Sequence, residues 1–169
     1  ATQSVGAVDN QPNENAEGST QPPSNPFILP GSVGTDLTEL DVPPGFGIID
    51  TGANEAIIGC AHMDRLIQAM REKGLKSRMM LRPEDRQGFA HGIGPPIPIL
   101  GKIRIQCGIG GEAGVILILF VAGNLPLLLP NRFLTLLGAL LDFSHETLVW
   151  RYLESSSHVR ILDSGHWAI

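Results

Sequence analysis

Cysteine is scarce: Cys60 and Cys107 are the two in 169 residues. Two are too few for a disulfide framework or a metal cage, so a reducing compartment is the default, with one bridge between them left open. Basic residues are also few, 12 Lys and Arg against 17 Asp and Glu, for a net charge of −5 and a pI near 5.4. A nucleic-acid footprint needs clustered Lys and Arg, so no nucleic-acid partner is expected. Long apolar runs are missing. Val115 to Val121 resumes as Leu125 to Leu129 only after Ala-Gly-Asn, with Pro126 inside the second piece. Both fall short of the roughly 20 residues that cross a bilayer, and no membrane partner is expected. The N-terminus lacks the basic and apolar regions of a secretory signal, which points to a cytoplasmic location. The chain starts at Ala1 without Met, as expected of a segment excised from a longer one. Cys60-Ala61-His62 offers two ligands with no second pair nearby, short of metal-site spacing, so no metal and no cofactor are expected.

What is present fits one domain plus an appendage. Residues 1–25 are mostly Asn, Gln, Ser, Pro and Gly, a composition that cannot offset its ordering entropy and reads as a disordered linker. Residues 26–169 form the domain. Phe27, Ile28 and Leu29 suggest an edge strand before the Pro43-Pro44-Gly45 stop. The stretch GFGIIDTGANEAIIG, Gly45 to Gly59, comes next. Phe46, Ile48 and Ile49 make a short buried strand, and Gly52 breaks it, which leaves Asp50 at a strand end. Thr51 brings a hydroxyl, Ala53 lets another backbone approach, and Ile57-Ile58 begin a second strand.

From Cys60 to Lys73 the period turns helical, with Met63, Leu66, Ile67 and Met70 on one face and Gly74 as the stop. Arg78 to Leu81 predicts a strand, followed by a turn at Pro83-Glu84-Asp85 and the glycine-rich run Gln87 to Gly94. Ile103, Ile105, Cys107 and Ile109 alternate with Lys102, Arg104, Gln106 and Gly108, the pattern of a half-buried strand. Gly110-Gly111 turns the chain into Val115 to Val121, which is apolar on both faces and therefore expected to be central. Leu127-Leu128-Leu129-Pro130-Asn131 leads to a short helix, Arg132 to Gly138, with Asn131 as its cap. A hairpin from Ala139–Phe143 to Thr147–Tyr152 and a bent terminal strand, His158 to Ile169, complete the chain.

Ile48-Ile49-Asp50-Thr51-Gly52-Ala53 resembles the active-site signature of retroviral-type aspartic proteases, the retropepsins, and most of all those of retrotransposon polyproteins. Gly88-Phe89-Ala90-His91-Gly92-Ile93-Gly94 is similar to their glycine-rich flap as it occurs in the DNA-damage-inducible shuttle proteases, although Pro95-Pro96 removes two amide donors. Leu127-Leu128-Leu129 and the helix after it resemble the apolar loop beside the active site, with Pro130 where the family has glycine. The resemblance implies a mainly β, closed-barrel protomer with one helix after the active-site strands and a short helix towards the C-terminal part. It makes Asp50 catalytic, supported by Thr51, Gly52 and Ala53. Ala90, His91, Gly92, Ile93 and Gly94 become flap residues, and Asn54 and Leu129 substrate-binding ones.

Hydrolysis without metal or nucleophile needs one group that takes a proton from water and another that gives one to the scissile carbonyl. Two carboxylates sharing a proton do both, because close like charges cannot both ionise. One suitable Asp is present, so resemblance and chemistry together imply a homodimer with Asp50 from each copy on a two-fold axis. Asp163, in Ile161-Leu162-Asp163-Ser164-Gly165, mimics the motif, but four residues after Gly165 leave no room for a second lobe. His91 is expected to face solvent. The implied function is a homodimeric aspartic endopeptidase acting on extended peptides, its own polyprotein first. The alternative is a retropepsin-fold dimerisation or peptide-binding module without catalysis.

Overall fold

The computed structural model describes residues 40–80, 88–90 and 96–169, all of them within the unit Gly34–Ile169. The linker expected at 1–25, the edge strand at Phe27–Leu29 and flap residues 91–95 lie outside the described residues.

Apolar alternation and glycine breaks set the strands. The stretch around Asp50 gives β1 (Ile48–Asp50) and β2 (Ile57–Gly59). β2 leads without a linker into α1 (Cys60–Glu72), which buries His62, Met63, Leu66 and Met70 on one face. The helix ends where Lys73 and Gly74 donate their amides to the carbonyls of Met70 and Arg71. β3 (Ser77–Met80), β4 (Phe89–Ala90) and β5 (Ile97–Ile109) follow. Gly110 and Gly111, both at positive φ, turn β5 into β6 (Glu112–Val121), the backbone a tight hairpin requires. After β7 (Leu128–Pro130) come α2 (Asn131–Leu136), β8 (Ala139–Asp142), β9 (Thr147–Trp150), a 3-10 turn at Arg151–Leu153, β10 (Ser155–His158), β11 (Arg160–Ile161) and β12 (Trp167–Ala168).

Nine strands form one sheet in the order β11-β12-β1-β7-β2-β6-β5-β3, with β4 paired to the start of β5; β10-β9-β8 form a second sheet. Among the described residues the fold is mainly β with two helices, as expected. Among the described residues no ladder joins β3 to β11, so the large sheet is open and not the expected closed barrel. The late strand β7 lies between β1 and β2, parallel to the first and antiparallel to the second.

The face of α1 packs on the inner residues of β5 and β6, where Ile103, Ile105, Ile116, Ile118 and Phe120 join Leu127 and Leu129 in one core. A second cluster, Val42, Ile48, Leu128, Leu162 and Ala168, secures β1. A third, Leu134, Leu148, Trp150 and Val159, holds α2 against the small sheet. Each such aliphatic side chain contributes roughly 1.5–3 kcal/mol by leaving water.

One expectation holds and one changes. β6 is central, between β5 and β2, yet its outer face is open, because Val115 and Leu117 stay about half exposed while Ile116 and Ile118 are buried. Nothing among the described residues covers that face. Asn131 does not cap α2. The helix starts at Asn131, Pro130 precedes it in extended conformation, and the Asn131 Oδ1 accepts from the Thr135 hydroxyl at 3.5 Å.

Candidate active site

Asp50 is held by backbone on three sides. Its strand pairs with β7 so that Asp50 stands opposite Pro130 and Ile49 opposite Leu129. The amide of Ile48 donates to the Leu127 carbonyl at 2.7 Å. Gly47, just before β1, is buried, exchanges amide hydrogen bonds with Ile169 at 2.7 and 3.0 Å, and comes so close to β7 that a Cβ there would meet Leu129 Cγ at 2.8 Å. Only glycine lets β7 lie that near.

Beyond β1 the chain turns sharply. The Gly52 amide donates to Asp50 Oδ1 at 2.9 Å, and the Ala53 amide donates to the Asp50 carbonyl at 3.2 Å. One carboxylate oxygen is therefore fixed by its own turn. Oδ2 takes no hydrogen bond among the described residues, and the side chain is half-buried. Asp50 has no ion pair or hydrogen bond with a second acid among them.

The turn opens onto a polar depression of about 400 Å3 lined by Thr51, Ala53, Asn54, Glu55, Asn131 and Arg132. Thr51, Gly52 and Asn54 are exposed and Ala53 is half-buried. Glu55, Asn131 and Arg132 were not singled out in the sequence as site residues. They flank the motif and Pro130, and the β1–β7 register, invisible in the sequence, is what brings the two stretches together. Leu129 lies elsewhere. It is buried in the core against Gly47 and lines an apolar cavity of about 290 Å3 below α1, which Cys107 also faces. Of the flap, Ala90 pairs with Ile97 and Phe89 with Pro98, which sets the base of a hairpin. His91, Gly92, Ile93 and Gly94 lie outside the described residues.

Other reactive groups are accounted for locally. Cys60 and Cys107 are free, and burial pushes both thiols up, away from the reactive thiolate. Asp142, Ser144 and His145 form a surface Ser-His-Asp group, with the Ser144 hydroxyl and Asp142 Oδ2 both at His145 Nδ1, 3.0 and 2.8 Å away. A nucleophilic triad needs serine and aspartate on opposite ring nitrogens, so this group only closes a turn. Hydrogen bonds from Ser144, then His145, hold the Asp142 carboxyl down at about 2. Asp163 is exposed in the β11–β12 turn. No cluster of three or more His, Cys, Asp or Glu suited to a metal occurs among the described residues, and no helix among them is long and apolar enough to cross a membrane.

No protein-family model and no curated protein matches the chain. Among solved structures it is similar to the retroviral protease-like domain of Ddi1 from Leishmania major, at 19% identity and a TM-score of 0.44 over 76% of this chain and 90% of that one. It is also similar to the EIAV protease complexed with the inhibitor HBY-793, at 21% identity and a TM-score of 0.41 over 57% of this chain and 80% of that one. Both likenesses concern the fold alone.

Proposed function

We propose that the chain is an aspartic endopeptidase that works as a homodimer, two Asp50 carboxylates activating one water against an extended peptide, with its own polyprotein as the first substrate. The observation that carries this is the Asp50 turn. One oxygen is tied to Gly52, the other takes no hydrogen bond among the described residues, and the neighbouring Thr51, Ala53 and Asn54 line an open polar depression. One protomer supplies one such carboxylate, and the reaction needs two that share a proton.

A surface suited to a second copy follows directly from the site. β7 runs into α2 and then β8, an edge of the small sheet among the described residues. Leu136, Leu140, Phe143 and Tyr152, on or next to these elements, are 67, 48, 67 and 73% exposed. An exposed edge with large apolar side chains pairs readily with another chain. In the reaction one Asp50 takes the proton from water while the other gives its proton to the scissile carbonyl. Asn54, Thr51 and the flap from Ala90 to Gly94 would hold the peptide.

Purified protein should cleave peptides, Asp163→Asn should keep that activity, and Asp50→Asn should lose it. Equal turnover by wild type and Asp50→Asn would sink the assignment. Sedimentation gives a separate check, since an active enzyme that stays monomeric contradicts a shared site. A second reading, a non-catalytic peptide-binding or dimerisation module of the same fold, is favoured by Pro130, which stands opposite Asp50 without an amide to donate. Turnover decides between the two.

A further inference from the structure

The outer face of β3, β5 and β6 carries charge and apolar surface that the proposed peptidase site does not use. In the ladder, Leu117 stands opposite Arg104, and Arg104 opposite Arg78. The three form a row across three strands, spaced by about 4.8 Å per strand. Arg78 and Arg104 are exposed and directly opposed, and like charges in that position repel. Among the described residues no carboxylate pairs with either. Val115, two residues from Leu117 on the same face, is 50% exposed and Leu117 is 46% exposed. Gln106, between Arg104 and the turn, is engaged, since its Oε1 accepts the Lys76 amide at 2.9 Å.

Charge on an edge strand has an ordinary explanation, protection against stray pairing, and that accounts for Arg78 on β3. It does not account for Arg104, because β5 is flanked by β3 and β6. Nor does it account for two half-exposed aliphatic residues beside it. In a protein of net charge −5, an arginine pair with no carboxylate partner among the described residues, bordered by leucine and valine, complements a ligand of acidic and apolar groups in alternation.

We infer that the outer face of β3-β5-β6 is a docking surface for an acidic, leucine-bearing extended segment of a partner protein, whose carboxylates lie over Arg78 and Arg104 and whose aliphatic side chains cover Val115 and Leu117. A stacked single-stranded nucleic acid fits less well, because among the described residues this face presents no aromatic side chain to its bases. A lipid surface fits less well too. Its insertion is served by apolar side chains at protruding tips, whereas Val115 and Leu117 lie within a ten-residue strand.

The test uses the full chain and a fluorescein-labelled peptide in which Glu alternates with Leu, read by anisotropy. Binding is expected at low ionic strength and weakens as salt screens the exposed charges. Arg104→Glu and Arg78→Glu should each weaken it about fivefold to tenfold, as expected when an exposed attraction becomes a repulsion. Arg104→Lys should preserve most of it, and Leu117→Ser should weaken it without changing the salt dependence. Asp50→Asn should bind like wild type, which separates this surface from the active site. Urea midpoints of all variants establish that they are folded. Three results overturn the inference: equal binding of a Gln-Leu peptide, indifference to both arginine reversals, or binding to phosphatidylserine vesicles with none to the peptide.

Discussion

The contact between Gly47 and β7 fixes how Asp50 is held, and it can be measured with a double-mutant cycle. In Gly47→Ala the new Cβ would lie 2.8 Å from Leu129 Cγ, 3.0 Å from its Cδ1 and 3.2 Å from Leu127 Cδ2. The backbone of Gly47 cannot retreat without losing both hydrogen bonds to Ile169, so Leu129 must move within a packed core. Overpacking of this kind costs about 1–3 kcal/mol. Leu129→Ala alone should cost about 2–5 kcal/mol, towards the lower end because it already borders a cavity that can absorb the change. In the double variant the atoms that collide with the new methyl are gone, apart from the marginal contact with Leu127. The combined cost should therefore fall short of the sum by about 1–2 kcal/mol. Urea denaturation of the four proteins measures this. Peptide turnover adds a second reading: Gly47→Ala should slow cleavage more than its stability loss explains, because β7 and the Asp50 turn move together, and the double variant should recover part of that rate. Strictly additive stabilities would refute the contact as the reason for glycine here.

His62 is buried, and burial followed by the Arg65 charge lowers its pKa from 6.5, with Asp41 opposing. Arg65 Nη2 lies 2.8 Å from Nε2, a bond that a protonated nitrogen cannot accept. The unfolded ring takes up its proton first, so stability is full above pH 6.5 and falls as pH drops below it. His62→Gln should flatten that slope in urea midpoints taken across the range, and an unchanged slope would remove His62 from the account. Asp142 behaves in the opposite region. Its carboxyl is held at about 2 against 3.8, so its contribution is present above 3.8 and disappears as pH falls towards 2. Asp142→Ala should be less stable than wild type at neutral pH, with the gap closing over that acid window; a constant gap would show that charge is not involved. Arg132 borders the depression beside Asp50 without an ion pair to Glu55 among the described residues. Arg132→Glu should shift relative kcat/KM between acidic and basic peptides by about fivefold towards basic ones, and identical selectivity would place Arg132 outside the substrate's reach. The shared-proton chemistry also leads to activity favouring acid, against the His62 slope, so the measured rate profile should narrow on its acid side and broaden in His62→Gln.

Much of this fold is written locally. The i, i+3, i+4 spacing of Met63, Leu66 and Met70 marks α1 almost to its ends, and alternation from Lys102 to Ile109 with Gly110-Gly111 marks the β5–β6 hairpin. Asp50 at a strand end and its Gly52 turn are equally local, because the hydrogen bond that sets them spans two residues. What escaped is non-local. Nothing in LLLP says that β7 enters between β1 and β2, and without that pairing neither Arg132 beside the turn nor Leu129 in the core can be placed. The apolar run of β6 shows a central strand but not that one of its faces, with Val115 and Leu117, stays open. His62 looked like half of a failed metal pair. Only the packing of α1 turns it inward.

The position of β7 sets the order in which the molecule can assemble. Asp50 and the Pro130 opposite it are about 80 residues apart, and every strand from β2 to β6 lies between them in the chain. Closing so long a loop is slow compared with forming α1 or the β5–β6 hairpin. During synthesis the Asp50 turn would emerge early but have no support until the last third of the domain has left the ribosome. A chain that stops before Leu128 carries the Asp50 turn without the strand that holds it, so under the proposed function peptidase competence would wait until β7 has been made.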